Sequence, residues 1–221
     1  MPPAVDILIP VLGRPHRIER ALADALAGTP GAHVWFIASE FDLLTRAELE
    51  RVGAAHLVLP GERAPGDYAR KINLGVRETS APLLFLGADD LHFHPGWLDA
   101  ASNRISASVS VVGTNDLGND RVKRGEHATH SLVAREYVEQ GSIDDPSVLL
   151  HEGYTHNFVD DEFVATARFR RTFRMALSSR VEHLHPHWRK SEMDGVYELG
   201  LSGFEADRKL FRSRRRLWEF V

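Results

Sequence analysis

Short apolar runs alternate with helically spaced apolar residues through the first half of the chain. Residues 5–11 are almost wholly apolar, which predicts a strand buried on both faces and ending near Pro10. Pro15 suits a first helical turn. Behind it, Ile18, Ala21, Leu22, Ala25 and Leu26 keep a helical period until Gly28 and the Thr29-Pro30-Gly31 turn stop it. The rhythm then repeats as strand 33–38, helix 43–52, strand 56–59 and a loop over 60–66. A helix with Ala69, Ile72, Val76 and Thr79 on its apolar face leads into strand 82–87. Pro95 opens a helix over 96–105, and residues 108–113 read as a fifth strand. This order predicts an α/β fold with a mostly parallel sheet and helices on both faces. Right-handed crossovers put the C-terminal strand ends on one edge, where open α/β sheets bind ligands. The loops after Val11, Ala38, Leu59, Leu86 and Val112 are expected to meet there.

The second half is less regular. Residues 115–127 read as a polar loop, 132–140 as a helix, and 160–171 as a helix with Phe163, Val164 and Ala167 on one side. Phe204, Phe211 and Trp218 recur every seven residues beside Leu210 and Leu217, which predicts a terminal amphipathic helix. Its other face is basic, with Arg208, Lys209, Arg212, Arg214, Arg215 and Arg216. That end reads either as a solvated helix face or as a contact for nucleic acid. No long linker divides the 221 residues, so a single domain is expected.

Composition narrows the classes. Hydrophobic residues at 43% and charged residues at 26% exclude disorder, collagen-like repeats and coiled coil as the main class. No apolar run reaches the roughly 18 residues of a membrane span. The stretch Met1-Pro2-Pro3-Ala4-Val5-Asp6 lacks a basic leader, so no signal peptide and a cytoplasmic location are expected. The absence of cysteine excludes disulfides, thiolate metal sites and a Cys nucleophile. A net charge of −4 argues against a global nucleic-acid field.

The most informative chemistry is Asp89-Asp90 at the end of an apolar strand. Two partly buried carboxylates repel each other, and a hard divalent cation removes that cost. The bland alternative is a solvated turn or a cap for the helix that follows. The surroundings carry more. Ile7-Leu8-Ile9-Pro10 opens the fold, and Ala69-Arg70-Lys71-Ile72-Asn73-Leu74-Gly75 lies on a helix. Leu83-Leu84-Phe85-Leu86-Gly87-Ala88-Asp89-Asp90-Leu91 then leads to His94-Pro95-Gly96-Trp97-Leu98. In order and spacing these segments resemble the inverting, family-2-like glycosyltransferases of the GT-A fold, above all small phage-type or actinobacterial ones.

The resemblance implies one GT-A domain over 1–221. Residues 1–113 would form the nucleotide-sugar half, 114–199 the acceptor and catalytic half, and 200–221 the basic amphipathic helix. It implies an Mn²⁺ or Mg²⁺ cofactor held by Asp89, Asp90 and His185, and a UDP-, GDP- or TDP-sugar donor. Pro10, Leu12, Arg14, Lys71, Asn73 and Asp89 would meet that donor. Gly87 stands where the family often has the first Asp of Asp-x-Asp-Asp. Ser39 or Glu40 would have to replace the acidic residue that reads the base, so the base stays open. Asp160 is the implied general base, with Asp161 as the other choice. His185 is drawn from His183-Leu184-His185-Pro186-His187, where alternation on a strand would point all three imidazoles one way. Three such histidines are also compatible with zinc. The polar segments 127–130 and 154–157 suit an acceptor such as a modified DNA base, a virion protein or a glycan. Two other classes compete. A nucleotidyltransferase would share the α/β arrangement, but Val11-Leu12-Gly13-Arg14 lacks its Gly-rich opening loop. A non-catalytic nucleotide-sugar or nucleic-acid binding module would use the basic end.

Overall fold

A computed structural model describes residues 4–219; the start of the chain at residues 1–3 lies outside them. The parallel part of the sheet is built from β1 (Val5–Pro10), β2 (His33–Ser39), β3 (His56–Leu59) and β4 (Leu83–Leu86). Its connections are α1 (Ile18–Gly28), α2 (Leu43–Arg51) and α3 (Asp67–Glu78). After β4 come β5 (Leu91–Phe93), α4 (Trp97–Ser102), β6 (Val111–Asn115), the short α5 (Asp120–Lys123) and β7 (Ser131–Ala134). The chain ends with α6 (Val159–Phe169), β8 (Phe173–His183), α7 (Gly195–Ser202) and α8 (Phe204–Arg214). The sheet order is β3-β2-β1-β4-β7-β6-β8-β5. β1 pairs in parallel with β2 and β4, β2 with β3, and β6 with β8, whereas β7 and β5 run antiparallel to their neighbours.

Alternation along the strands divides the core into two. Ile7 and Ile9 of β1, with Leu83 and Phe85 of β4, pack into one apolar cluster with α1 and α4. Leu8, Leu84 and Leu86 enter a second cluster with α3 and α6. Successive side chains on a strand point to opposite faces, so a strand covered on both must be apolar throughout. Asp6 is the exception inside β1. It is buried and saturated: Ala81 N donates to it at 2.7 Å, Arg135 at 3.1 Å and Trp35 Nε1 at 3.3 Å.

Several expectations need correction. Residues 132–140 are not a helix. Ser131–Ala134 is the fully buried strand β7, wedged between β4 and β6, and only Arg135–Gln140 turns, as a 3-10 helix. A short apolar run does not separate strand from buried helix by periodicity, and pairing on both sides decided it here. The fifth strand starts later, at Val111, and the helix after Pro95 is shorter, Trp97–Ser102. The histidine run is not one strand. β8 ends at His183, and a 3-10 turn occupies Pro186–Trp188. The terminal helix expected over 200–221 is divided: 200–202 end α7, Phe204–Arg214 form α8, Arg215–Trp218 a 3-10 turn, and 220–221 lie outside the described residues.

Candidate active site

The C-terminal ends of β1 and β4 open into a cavity of about 680 Å³. Its floor is Pro10, Val11 and Leu12 after β1 and Ala88, Asp89 and Asp90 after β4. One wall carries His127, Thr129, His130, Asp160 and Asp161, and the other carries His183, His185, Val196 and Tyr197. Gly87 lets β4 run tight against β1. Its N–H donates to the Leu8 carbonyl at 2.9 Å, and a Cβ there would sit 3.0 Å from that oxygen. A side chain in place of Gly87 would therefore push apart the two strands that aim Asp89 and Asp90.

Both aspartates are buried. Arg14 donates to Asp89 Oδ1 at 3.2 Å, and Arg17 lies 3.8 Å from the same oxygen. Asp90 Oδ2 accepts from the Tyr197 hydroxyl at 2.7 Å and lies 3.1 Å from His183 Nε2. The other oxygen, Asp90 Oδ1, is buried and has no hydrogen-bond partner. The pair is electrostatically split. Burial and the neighbouring Asp90 charge push Asp89 up to about 6. Burial also acts to raise Asp90, but His183 and the Tyr197 hydroxyl overcome it and hold Asp90 well below the usual carboxylate range. His183 itself is raised: burial opposes its charge, and Asp90 more than compensates. The antiparallel pairing of Leu91 with His183 brings them together, and Leu184 N donates to the Asp90 carbonyl at 2.8 Å.

The sequence-derived residues divide. Pro10, Leu12, Arg14, Asp89, Asp90, Asp160, Asp161 and His185 all line the cavity. Ser39, Glu40, Lys71 and Asn73 do not reach its wall. Lys71 is fully buried and spends its ammonium on the Val11 carbonyl (2.6 Å) and Asp67 (2.7 Å). Ser39 donates to the same Asp67 at 3.0 Å, so both residues support an aspartate that does line the cavity. Glu40 is exposed and accepts from Gly61 N at 2.8 Å. Asn73 exchanges hydrogen bonds with the Leu150 backbone, both at 2.9 Å, and so pins a loop. His185 packs edge-on to Tyr197 at 4.7 Å, and its Nδ1 accepts from His187 N. Asp89, Asp90 and His185 are not among the described groups whose ligand atoms lie within 4.8 Å of one another. Those are His127–Asp160–Asp161 and Asp144–His151–Glu162. In the second, Arg214 already bridges Asp144 (2.7 Å) and Glu162 (2.8 Å).

The far wall is set by the start of α6. Phe158 precedes it in a left-handed conformation, φ 65°, which is unusual for a bulky residue. Its ring is held by Phe204 at 5.2 Å and stacked on Phe211 at 5.5 Å. That turn delivers Asp160 and Asp161 to the first helical turn, where the dipole favours carboxylates. Asp160 Oδ2 lies 3.0 Å from His127 Nε2, and Arg121 donates to Asp161 at 2.8 Å.

No family model matches the chain, and no curated protein matches it. Solved structures do resemble it. One is a mannosyltransferase from Pyrobaculum calidifontis in complex with GDP-mannose and Mn²⁺, at 14% identity and a TM-score of 0.61. The match covers 83% of this chain and 57% of that one, so the chain spans little more than half of that protein. Another is glucosyl-3-phosphoglycerate synthase from Mycobacterium tuberculosis with Mn²⁺, UDP and phosphoglyceric acid, at 11% identity and a TM-score of 0.63. There the match covers 99% of this chain and 80% of that one. The fold is GT-A.

On this GT-A scaffold five residues in or beside the site carry weaker sequence signals or none: Asp67, His183 and Tyr197 line the cavity, while Arg17 and Asp194 meet behind Arg14, Asp194 on a smaller neighbouring pocket. Arg17 is three positions past Arg14, a spacing that puts both on one side of a helical turn, and it was legible. Asp67 sits on the first turn of α3 and was legible once the loop before it was seen to face the ligand edge. Asp194 and Tyr197 had no signal, because the helix they introduce was not anticipated. His183 lay within the histidine run, but its pairing partner Leu91 was not read as a strand.

Proposed function

We propose that the protein is a metal-dependent glycosyltransferase that moves a sugar from a nucleotide-diphospho-sugar to an acceptor hydroxyl, with inversion at the anomeric carbon. The observation that carries this reading is the buried acidic pair at the end of β4, with Arg14 against it and Asp90 Oδ1 left without a partner. A buried carboxylate oxygen without a donor is costly, and a hard cation with oxygen ligands satisfies it. The upward shift of Asp89 to about 6 points the same way, since two adjacent buried charges need a counter-charge. Asp89, Asp90 and His185 would hold Mn²⁺ or Mg²⁺. Burial and His183 push His185 down to about 4, which keeps its imidazole in the neutral, ligating form. The similar solved structures contain Mn²⁺ with GDP-mannose or with UDP, which supports the same donor chemistry. A bound cation would neutralise charge on the departing diphosphate.

The chain's own residues supply the rest. Pro10 and Leu12 flank the nucleoside at the end of β1. Arg14, with Arg17 beside it, presents guanidinium donors to the diphosphate. Ser39 and Lys71 act one step back, by fixing Asp67. Asp160 accepts the acceptor's hydroxyl proton as that oxygen attacks the anomeric carbon. The bond from that carbon to the diphosphate breaks, and its electron pair leaves with the nucleoside diphosphate.

The test is an assay of nucleoside diphosphate release from UDP-glucose, GDP-mannose and TDP-glucose, each with Mn²⁺ or with EDTA. Acceptor arms carry a glycan, a virion protein and DNA with a hydroxylated base. Release of a nucleoside diphosphate that depends on Mn²⁺ is expected, with Asp90→Asn slower by roughly 100-fold or more. Pyrophosphate release instead would assign nucleotidyl transfer. Undiminished release in EDTA would remove the metal from the mechanism.

A further inference from the structure

We propose that His127 is a positioning residue that selects Asp160, rather than the adjacent Asp161, as the base; this rests on the transferase reading given above. His127 is 2% exposed yet lines the cavity beside Asp160, Asp161 and Arg121. Its Nε2 lies 3.0 Å from Asp160 Oδ2. An ionised carboxylate only accepts, so Nε2 carries the hydrogen and donates. The other oxygen, Asp160 Oδ1, accepts from Asp161 N at 3.0 Å. Asp160 is therefore held at both ends, with its plane fixed and with lone pairs on each oxygen still free. Asp161 has a different partner: the guanidinium of Arg121 donates to its Oδ1 at 2.8 Å.

His127 is itself held in place. Gly125, two residues before it, accepts from Arg168 at 2.7 Å, and Glu126 N donates to the Arg121 carbonyl at 2.8 Å. Ala128, which follows it, is buried against Gly113, where a β-carbon would collide with it. The imidazole thus comes from a fixed backbone and meets the carboxylate without a search. This is the arrangement by which a third group orients a reacting pair.

A purely structural role fits less well. Asp160 at the start of α6 already satisfies the Asp161 N–H and meets the helix dipole, so the helix end does not need an imidazole. His127 Nδ1 is buried without a hydrogen-bond partner, 3.8 Å from Asp161 Oδ1. The unpaired Nδ1 faces the second carboxylate, so one ring touches both candidates and bonds only one.

The proton balance is simple. The acceptor O–H gives its proton to Asp160, and the acceptor oxygen bonds to the anomeric carbon. The donor C–O bond breaks towards the diphosphate, and His127 keeps its Nε2 hydrogen throughout.

The experiment compares His127→Phe, His127→Gln, Asp160→Asn and the His127→Phe/Asp160→Asn double variant. The readout is nucleoside diphosphate release from UDP-glucose, GDP-mannose and TDP-glucose with Mn²⁺ and the same three acceptor arms, alongside calorimetric binding of UDP and GDP as a check on folding and on the donor site. The expected result is a kcat about 100-fold lower for His127→Phe, with nucleoside diphosphate affinity unchanged. His127→Gln keeps an N–H near the Nε2 position and should recover to within about 10-fold of the starting enzyme. If His127→Phe does not bind nucleotide, His127→Gln against Asp160→Asn carries the comparison. The double variant should be no slower than Asp160→Asn, because a residue acting through another adds nothing once that other is gone. Wild-type kcat in His127→Phe, or losses that multiply in the double variant, would overturn the positioning role. Release retained by Asp160→Asn would overturn the choice of base. No release from any donor by the unaltered protein would overturn the transferase reading, and this inference with it.

Discussion

Arg14 divides its guanidinium between Asp89, at 3.2 Å, and Asp194, which accepts from it at 2.9 and 2.8 Å. Arg17 adds a contact to Asp194 at 3.2 Å, and both guanidinium groups lie over the Tyr197 ring, Arg14 at 3.9 Å. A planar fork matches phosphate as well as carboxylate, so Asp194 occupies donors that a diphosphate would use. Binding then includes the loss of a competing ion pair. Replacing Asp194 by Asn removes the competitor's charge, and the predicted outcome is nucleoside diphosphate binding at least roughly fivefold tighter by calorimetry. Weaker binding would instead make Asp194 a support that holds Arg14 in its productive position.

At the scale of elements, the cavity wall depends on α8 as much as on the strands. Asp207 of α8 is 2% exposed, and its carboxylate accepts from the backbone N–H groups of Thr155 (2.7 Å), His156 (3.0 Å) and Asn157 (2.8 Å). That bundle fixes the turn into Phe158 and so the placement of Asp160. Asp207→Ala leaves these donors unpaired, and urea unfolding should report a loss of about 3 kcal/mol. Burial acts to raise Asp207, but the three N–H groups hold it below the ordinary carboxylate value. A depressed folded pKa gives stability that is complete above the unfolded value of about 4 and is lost as pH falls through the folded one. The advantage of the wild type over Asp207→Asn should therefore shrink below about pH 4, in unfolding curves measured across pH. The basic character of the C-terminal end is partly spent in the same way, since Arg214 is bound to Asp144 and Glu162.

For the whole molecule, what the sequence disclosed follows from how local each interaction is. β1 to β4 and their helices were legible because each is a continuous apolar run or a helical stripe, and parallel strands buried on both faces need such runs. β7 is not legible because its three apolar residues, Leu132, Val133 and Ala134 behind the polar Ser131, carry no period that separates strand from helix. β5 and β8 are not legible because pairing partners far apart in the chain leave no local mark, as with Leu91 and His183 or Val111 and Phe173. The acidic pair was legible from its place at the end of a buried strand. Its environment of His183, Tyr197 and Asp194 was not, since the chain returns there only in its last fifth. Lys71 looked like a cation for the donor, and its burial on Val11 and Asp67 became visible only with the packing of α3 on β1. The most direct measurement is anomalous scattering from crystals soaked with Mn²⁺ and UDP or GDP. The predicted result is a manganese peak within coordination distance of Asp89 and Asp90, with the diphosphate against Arg14. A peak at His127, Asp160 and Asp161 instead, or a nucleotide bound away from the ends of β1 and β4, would contradict it.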